Sequence, residues 1–317
     1  MNARKRRVVV MVKVMKQYFA MALLIAGLGS PGGLSAQERV RLGVGSIFNN
    51  DYLGDNSDRW RTGSYQIGII RGPEGTTEAP SELGQVLEFR MRGETIAPRS
   101  LISPAAGDRL YAGTLSFGVH TYSKNENTEL AFGLDLGIVG PQSGIRSFQE
   151  KIHQIVGATI PNVAGFEVAN HLRPHLTFEA GQLLSPNQTV FMRPFVEVQA
   201  GLETLARAGI DFSFGKFDSA GLKLRDPVTG QRVSGINGKT NETSFMMGAD
   251  FAWVADSVYL PRARGYTPTD MRFRARAGIR QAWEKGYLFY GLTYLGEEFV
   301  GQPEGQYIGS LNIRINF

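Results

Sequence analysis

From residue 38 onward the chain consists of segments of about ten residues in which apolar and small-or-polar side chains alternate with period two. In an extended strand the two sets fall on opposite faces. Thr128–Val139 is the cleanest case: Leu130, Phe132, Leu134, Leu136 and Ile138 share one face, and Glu129, Ala131, Gly133, Asp135 and Gly137 the other. In Met271–Arg280, Met271, Phe273, Ala275, Ala277 and Ile279 oppose Arg272, Arg274, Arg276 and Arg280. The last segment sets Tyr307, Leu311, Ile313, Ile315 and Phe317 against Ser310, Asn312, Arg314 and Asn316. No run of about 18 apolar residues follows residue 37, so no membrane-spanning helix is predicted there.

Any one such strand fits a soluble sandwich, apolar face inward. The set reads differently: the apolar faces are rich in Phe and Tyr, the polar faces carry charge and glycine, and four arginines share one side of a strand. This predicts an all-β fold, a transmembrane antiparallel β-barrel with lipid outside and a polar interior. Twelve strands are expected, near 38–48, 63–72, 84–93, 109–123, 128–140, 171–182, 189–201, 204–215, 243–256, 270–282, 286–297 and 307–317. An even number closes the barrel with both termini on the periplasmic side, and a closed barrel is expected to be a monomer.

Residues 1–36 read as a signal peptide: a basic start, an apolar run from Tyr18 to Gly27, a Gly/Pro break and a cleavage site after Ala36. The barrel domain is then 37–317. The leader also accounts for the formal charge of +5, because it holds six of the 34 basic residues and no acid, leaving 28 against 29. Nucleic acid is therefore not an expected partner. With no cysteine, disulfides, thiolate metal sites and cysteine nucleophiles are excluded.

With the N-terminus periplasmic, the connections after odd-numbered strands face outward, and three of them, 49–62, 94–108 and 141–170, collect the chemistry. The first, from Phe48 to Gly63, is dense in Asn and Asp, the oxygen ligands of a hard cation such as calcium. The third carries a short amphipathic helix, capped by Ser143 and closed by Gly157, with Ile145, Phe148, Ile152, Ile155 and Val156 as its apolar stripe. Gln149 and His153 lie beside that stripe, facing the barrel wall or lipid. Imidazoles titrate near neutral pH, so a histidine there suits a general base. His120 reads as a lumen hydrogen-bonding residue, and His171 and His175 as interfacial. The segment 216–242, long for the periplasmic side, is expected to hold an extra helix or to shift the strand count by one hairpin. No Gly-x-Ser-x-Gly elbow is present.

Four motifs in order, Asn50-Asp51, Asp58-Arg59-x-x-Thr62, Asp108-Arg109-x-Tyr111-Ala112-Gly113, and Asp135-Leu136-Gly137-x-x-Gly140-Pro141 followed by Gln149-x-x-x-His153-x-x-x-Gly157, resemble the outer-membrane lipid A deacylases of the LpxR type. The resemblance implies a twelve-stranded barrel that uses Ca2+ to remove the 3′-O-linked acyl group of lipid A, in lipopolysaccharide of the outer leaflet. It implies Asp51 as metal ligand with Asn50 beside it, Thr62 and Gln149 positioning substrate or water, and His153 activating the attacking water. Arg61 and Ser64 stand where the family has an aromatic residue and a glycine. Arg92 and Arg99 are the basic residues that could meet lipid A phosphates. The alternatives are a non-catalytic pore or scaffold, suggested by the arginine-lined strand, and a calcium-dependent outer-membrane phospholipase.

Overall fold

The computed structural model describes residues 39–237 and 241–315; the leader with its cleavage site, and Phe317, lie outside the described residues. The alternating segments form β1 (Val40–Asn50), β2 (Trp60–Gly72), β3 (Leu87–Ala97), β4 (Ala112–Asn125), β5 (Thr128–Val139) and β6 (His171–Gln182). A short β7 (Leu184–Asn187) precedes β8 (Val190–Ala200) and β9 (Glu203–Phe214). After a hairpin of β10 (Gly221–Arg225) and β11 (Arg232–Asn237) come β12 (Thr243–Ser257), β13 (Met271–Trp283), β14 (Gly286–Leu295) and β15 (Gln306–Ile315). The connection from β5 to β6 carries the helix α1 (Ile145–Val156).

Twelve of these strands make a closed antiparallel barrel, with β7 a short addition alongside β8. Closure comes from β1 against β15, Phe48 opposite Leu311, and from β6 against β8, Leu176 opposite Ala200. The expected strand count therefore holds. The third strand runs on to Ala97, beyond its expected end at 93, because Ile96 and Ala97 are buried under the loops of that rim. One rim carries the connections 51–59, 98–111, 140–170, 258–270 and 296–305 and is called here the loop rim; the other is joined by turns as short as Glu126-Asn127 and Glu284-Lys285.

Period two sorts the side chains as expected. Phe132, Phe245, Phe251, Trp253 and Met271 stand exposed on the outside of the wall, and Asp135, Asp250, Arg272, Arg274, Arg276 and Arg280 are buried inside. The arginines of β13 do not line an open channel. Asp250 accepts from Arg207, Arg274 and Arg276, Asp211 from Arg225 and Arg276, and Glu203 from Arg272, while Arg280 lies over the Tyr287 ring.

Among its described residues, the segment 216–242 contains neither a helix nor an extra pair of wall strands. It folds as the β10–β11 hairpin, a separate two-stranded sheet inside the barrel. Leu222, Leu224, Val233 and Ile236 of the hairpin pack with Ile47, Ile70, Val86, Tyr122, Tyr287 and Phe289 of the wall in one apolar cluster. Burying these side chains contributes roughly 1.5–3 kcal/mol each, which favours the hairpin inside over an open periplasmic loop. At the loop rim a second cluster, including Ile96, Leu110, Val139, Leu202 and Tyr259, fills the interior. The lumen is thus occupied by a hairpin, an ion-pair lattice and an apolar cap.

Candidate active site on the outside of the barrel wall

On β1 the outward-facing set includes exposed Phe48, which puts Asn50 on the same face. On β2 and β3 the exposed Tyr65 and Met91 put Gly63 and Gly93 on that face, and Gly113 of β4 follows, being paired with Thr95. These glycines are where other parts of the chain lie against the wall. A Cβ on Gly113 would stand 2.7 Å from Cβ of Ile145, and one on Gly93 3.4 Å from its Cδ1, so α1 rests on the outer surface of β3 and β4. The helix is capped by Gly144 rather than by Ser143: the Ser143 hydroxyl still accepts the Ile145 N–H at 3.3 Å, but Ser143 belongs to a preceding 3-10 turn. Gly157, at φ 71, closes it as expected.

With Ile145 against the wall, Gln149 and His153, one and two turns on, are turned to the same side and are buried. The Tyr111 hydroxyl donates to Gln149 Oε1 at 2.8 Å, so the amide nitrogen of Gln149 is the end that lies 3.4 Å from His153 Nε2. His153 Nδ1 meets the main-chain carbonyl of Thr159. A carbonyl only accepts, so Nδ1 carries the proton and, in the neutral ring, Nε2 presents its lone pair. That nitrogen looks toward Asp58, whose Oδ2 is 3.6 Å away.

The first connection supplies the opposite side of the cleft. Asn50 Oδ1 accepts the Tyr52 N–H at 2.9 Å and so caps a 3-10 turn, Asp51–Leu53. The turn packs on the outer face of β15, where a Cβ on Gly309 would be 2.5 Å from the Leu53 carbonyl oxygen. Asp51 is buried; its Oδ2 accepts the Arg59 N–H at 2.7 Å and its Oδ1 faces the Thr62 hydroxyl at 3.0 Å. Asp58 Oδ1 lies 2.5 Å from the same hydroxyl. Thr62 reaches them because the register of β2 against β3 shifts between Trp60 and Gly63. Arg61 and Ser64 both point inward there, Arg61 to Glu94, Glu203 and Glu298 and Ser64 to Asn49. Buried Trp60, at φ 53, holds the left-handed backbone of this irregularity.

One hydroxyl proton cannot serve two carboxylates, so the Asp51–Thr62–Asp58 cluster lacks a positive charge. Burial, reinforced by the neighbouring Asp58 and Asp55, pushes the Asp51 carboxyl up to about 8, against the opposing pull of the Arg59 N–H. A proton or a hard cation would relieve it. Among the described residues no three His, Asp or Glu side chains converge as a metal cage. The donors that are present, two carboxylates, a hydroxyl and turn carbonyls, are of the oxygen type calcium takes, with water completing its shell.

Of the residues expected at the site, Asp51, Thr62, Gln149 and His153 come together, while Asn50 acts one step back by capping the turn that holds Asp51. Asp58 and Tyr111 were not singled out although they complete the contacts. Their signal was their place inside the quoted motifs, Asp58 four residues before Thr62 and Tyr111 two after Arg109. His120 is a lumen residue, 3.1 Å from Asp135, and His175 accepts the Leu202 N–H inside rather than sitting at an interface. Arg92 is buried against Glu94, so only Arg99, exposed and 3.5 Å from Glu304, remains for an anionic headgroup.

A closed twelve-stranded wall, apolar outside and filled with paired charges inside, defines a membrane β-barrel. The model of the outer membrane protein LpxR family matches residues 18–317, and the chain belongs to this family of LpxR-type lipid A deacylases. Among solved structures it is similar to LpxR from Salmonella typhimurium, at a TM-score of 0.72 and 16% identity over 87% of this chain and 100% of that one. The Bordetella autotransporter BrkA β domain gives 0.46 at 13% identity over 87% of this chain and 99% of that one. The NalP translocator domain from Neisseria meningitidis gives 0.41 at 9% identity over the whole of both chains. No curated protein sequence is matched.

Proposed function

We propose that this outer-membrane barrel is a calcium-dependent lipid A deacylase that hydrolyses the 3′-O-linked acyl ester, with its loop rim at the outer leaflet. The observation that carries the reading is the state of His153: its Nδ1 proton is committed to the Thr159 carbonyl, and its Nε2 lone pair faces the Gln149 amide and Asp58 on the outside of the wall. A lipid ester enters the site sideways from the leaflet, without passing through the occupied lumen.

In this reading a water between Nε2 and the ester gives up its proton to His153 as it attacks the carbonyl carbon. Asp58, 3.6 Å from Nε2, stabilises the imidazolium that forms, and the proton then passes to the leaving sugar oxygen. Gln149, its orientation set by Tyr111, offers amide N–H groups to the water or to the ester oxygen. Thr62 ties Asp58 to Asp51 and so fixes the carboxylate that faces His153. Calcium, held by Asp51 and Asp58, would neutralise the paired carboxylates and polarise the ester carbonyl. Of the arginine row that suggested a pore, Arg272, Arg274 and Arg276 are consumed in ion pairs and Arg280 lies over Tyr287, which removes the main support for that alternative.

The test is acyl release by the purified, refolded barrel in mixed micelles, with lipid A or a glycerophospholipid as substrate and with calcium or chelator. Loss of one 3′-O acyl unit from lipid A only with calcium is the expected result. Cleavage of the phospholipid instead would transfer the same cleft to the phospholipase reading.

A further inference from the structure

The helix α1 has three distinct sides. Ile145, Gln149 and His153 are turned to the wall. Arg146 and Glu150, 3.5 Å apart, lie on a second side, where Arg146 also reaches Glu167 at 3.0 Å in the loop that runs over the rim. Glu167 in turn bridges to Tyr111, so this second side is directed at the loops and away from the body of the barrel. Phe148, Ile152 and Ile155 occupy the edge across the helix axis from Arg146. They are 63%, 40% and 79% exposed, and Ile160, just past the helix, is 48% exposed.

A helix rooted on the outer face of the wall, with its charged side toward the loops, has its remaining edge directed along the wall toward the apolar belt. That belt is built on the neighbouring strands from Phe89, Met91, Phe132 and Leu134, each about as exposed as Ile152. The edge of α1 continues it. We propose that α1 is an interfacial helix whose Phe148–Ile152–Ile155 edge is immersed in the acyl chains of the leaflet at the loop rim, with Arg146, Glu150, Lys151 and Gln154 left at the water side. This is the geometry of helices that lie in the plane of a membrane surface, apolar edge sunk roughly 5–10 Å into the boundary of headgroup and acyl chain. Immersion also gives these apolar side chains the environment they lack in water.

The consequence for the site rests on the activity proposed above: His153, on the same helix, is held where the acyl chains begin, at the level of the ester linkages. The immersion itself rests only on the barrel and is tested without turnover. Because the chain has no cysteine, single substitutions can be labelled directly. Ile155→Cys, Phe148→Cys and Gln154→Cys carry a nitroxide in the full barrel, reconstituted in phosphatidylcholine vesicles, with heat-modifiable migration as the check on folding. Electron paramagnetic resonance then compares relaxation by oxygen, which concentrates in lipid, with relaxation by a water-soluble nickel chelate. The expected result is oxygen dominating at 155 and 148 and nickel at 154. Nickel reaching 155 as readily as 154 would overturn the proposal. So would spin–spin broadening at 155 that survives dilution with unlabelled lipid, since it would mean that a second copy covers the edge. A barrel that passes this test but leaves lipid A intact would preserve the immersed helix and fail the deacylase reading.

Discussion

The chain holds two histidine–aspartate pairs in opposite settings. His120 and Asp135 face each other at 3.1 Å inside the barrel, both buried, within reach of a lattice of paired charges. His153 and Asp58 are 3.6 Å apart on the outside of the wall, where the Asp58 side chain keeps 36% of its surface exposed. The inner pair has the shorter contact, yet it lies in a filled interior with no route for a lipid. The outer pair has a looser contact, a ring proton fixed from behind by a carbonyl, and a half-exposed carboxylate in front. In a barrel that acts on lipids, the site is therefore marked by polar residues on the face that ought to be apolar. The density of charge in the lumen reports on packing.

Substitutions on the two sides of the wall break or sharpen this contrast. His153→Ala should lower deacylation by about 10²–10⁴-fold, the usual contribution of a general base, with the barrel still heat-modifiable, whereas His120→Ala should spare turnover and lower the unfolding midpoint. Asp51→Asn should cost about a hundredfold through loss of the cation, and should abolish the thermal stabilisation that calcium gives the parent protein. Inside, Asp250→Ala strands Arg207, Arg274 and Arg276 and should destabilise by roughly 3–5 kcal/mol in denaturant unfolding, with unchanged activity per folded barrel. Tyr111→Phe should slow turnover only about tenfold, the worth of one hydrogen bond, and should add nothing in a Gln149→Ala background if it acts through that amide.

The smallest expected effect is one of pH. The Asp51 carboxyl is raised from 3.8 to about 8, so in chelator the folded state holds this proton more tightly than the unfolded chain does. Its contribution to stability is complete below about pH 4 and is lost as the pH rises toward 8. The unfolding midpoint of the calcium-free protein should therefore fall over that range, and Asp51→Asn should flatten this part of the profile.

The wall was legible because period two persists over ten or more residues in strands such as Thr128–Val139 and Met271–Trp283. The inner hairpin was not, because Gly221–Arg225 and Arg232–Asn237 are too short to show a period and each carries only two large apolar side chains, Leu222 and Leu224 in one and Val233 and Ile236 in the other. Thr62 could be placed at the site only by resemblance: the register shift beside Trp60 breaks the alternation that would otherwise assign its face. The roles of Asp58 and Tyr111 depend on how two loops lie against one helix, which spacing along the chain does not encode. Gly93 and Gly113 carry the trace of that packing, as the outward positions of β3 and β4 left without side chains so that Ile145 can approach.

The most direct measurement is the mass spectrum of lipid A from outer membranes containing the parent protein, His153→Ala or His120→Ala, each with calcium and with chelator. The account predicts loss of one 3′-O acyl unit with the parent and with His120→Ala, in calcium only, and intact lipid A with His153→Ala. Deacylation that survives His153→Ala and disappears with His120→Ala would place the chemistry inside the barrel and contradict it.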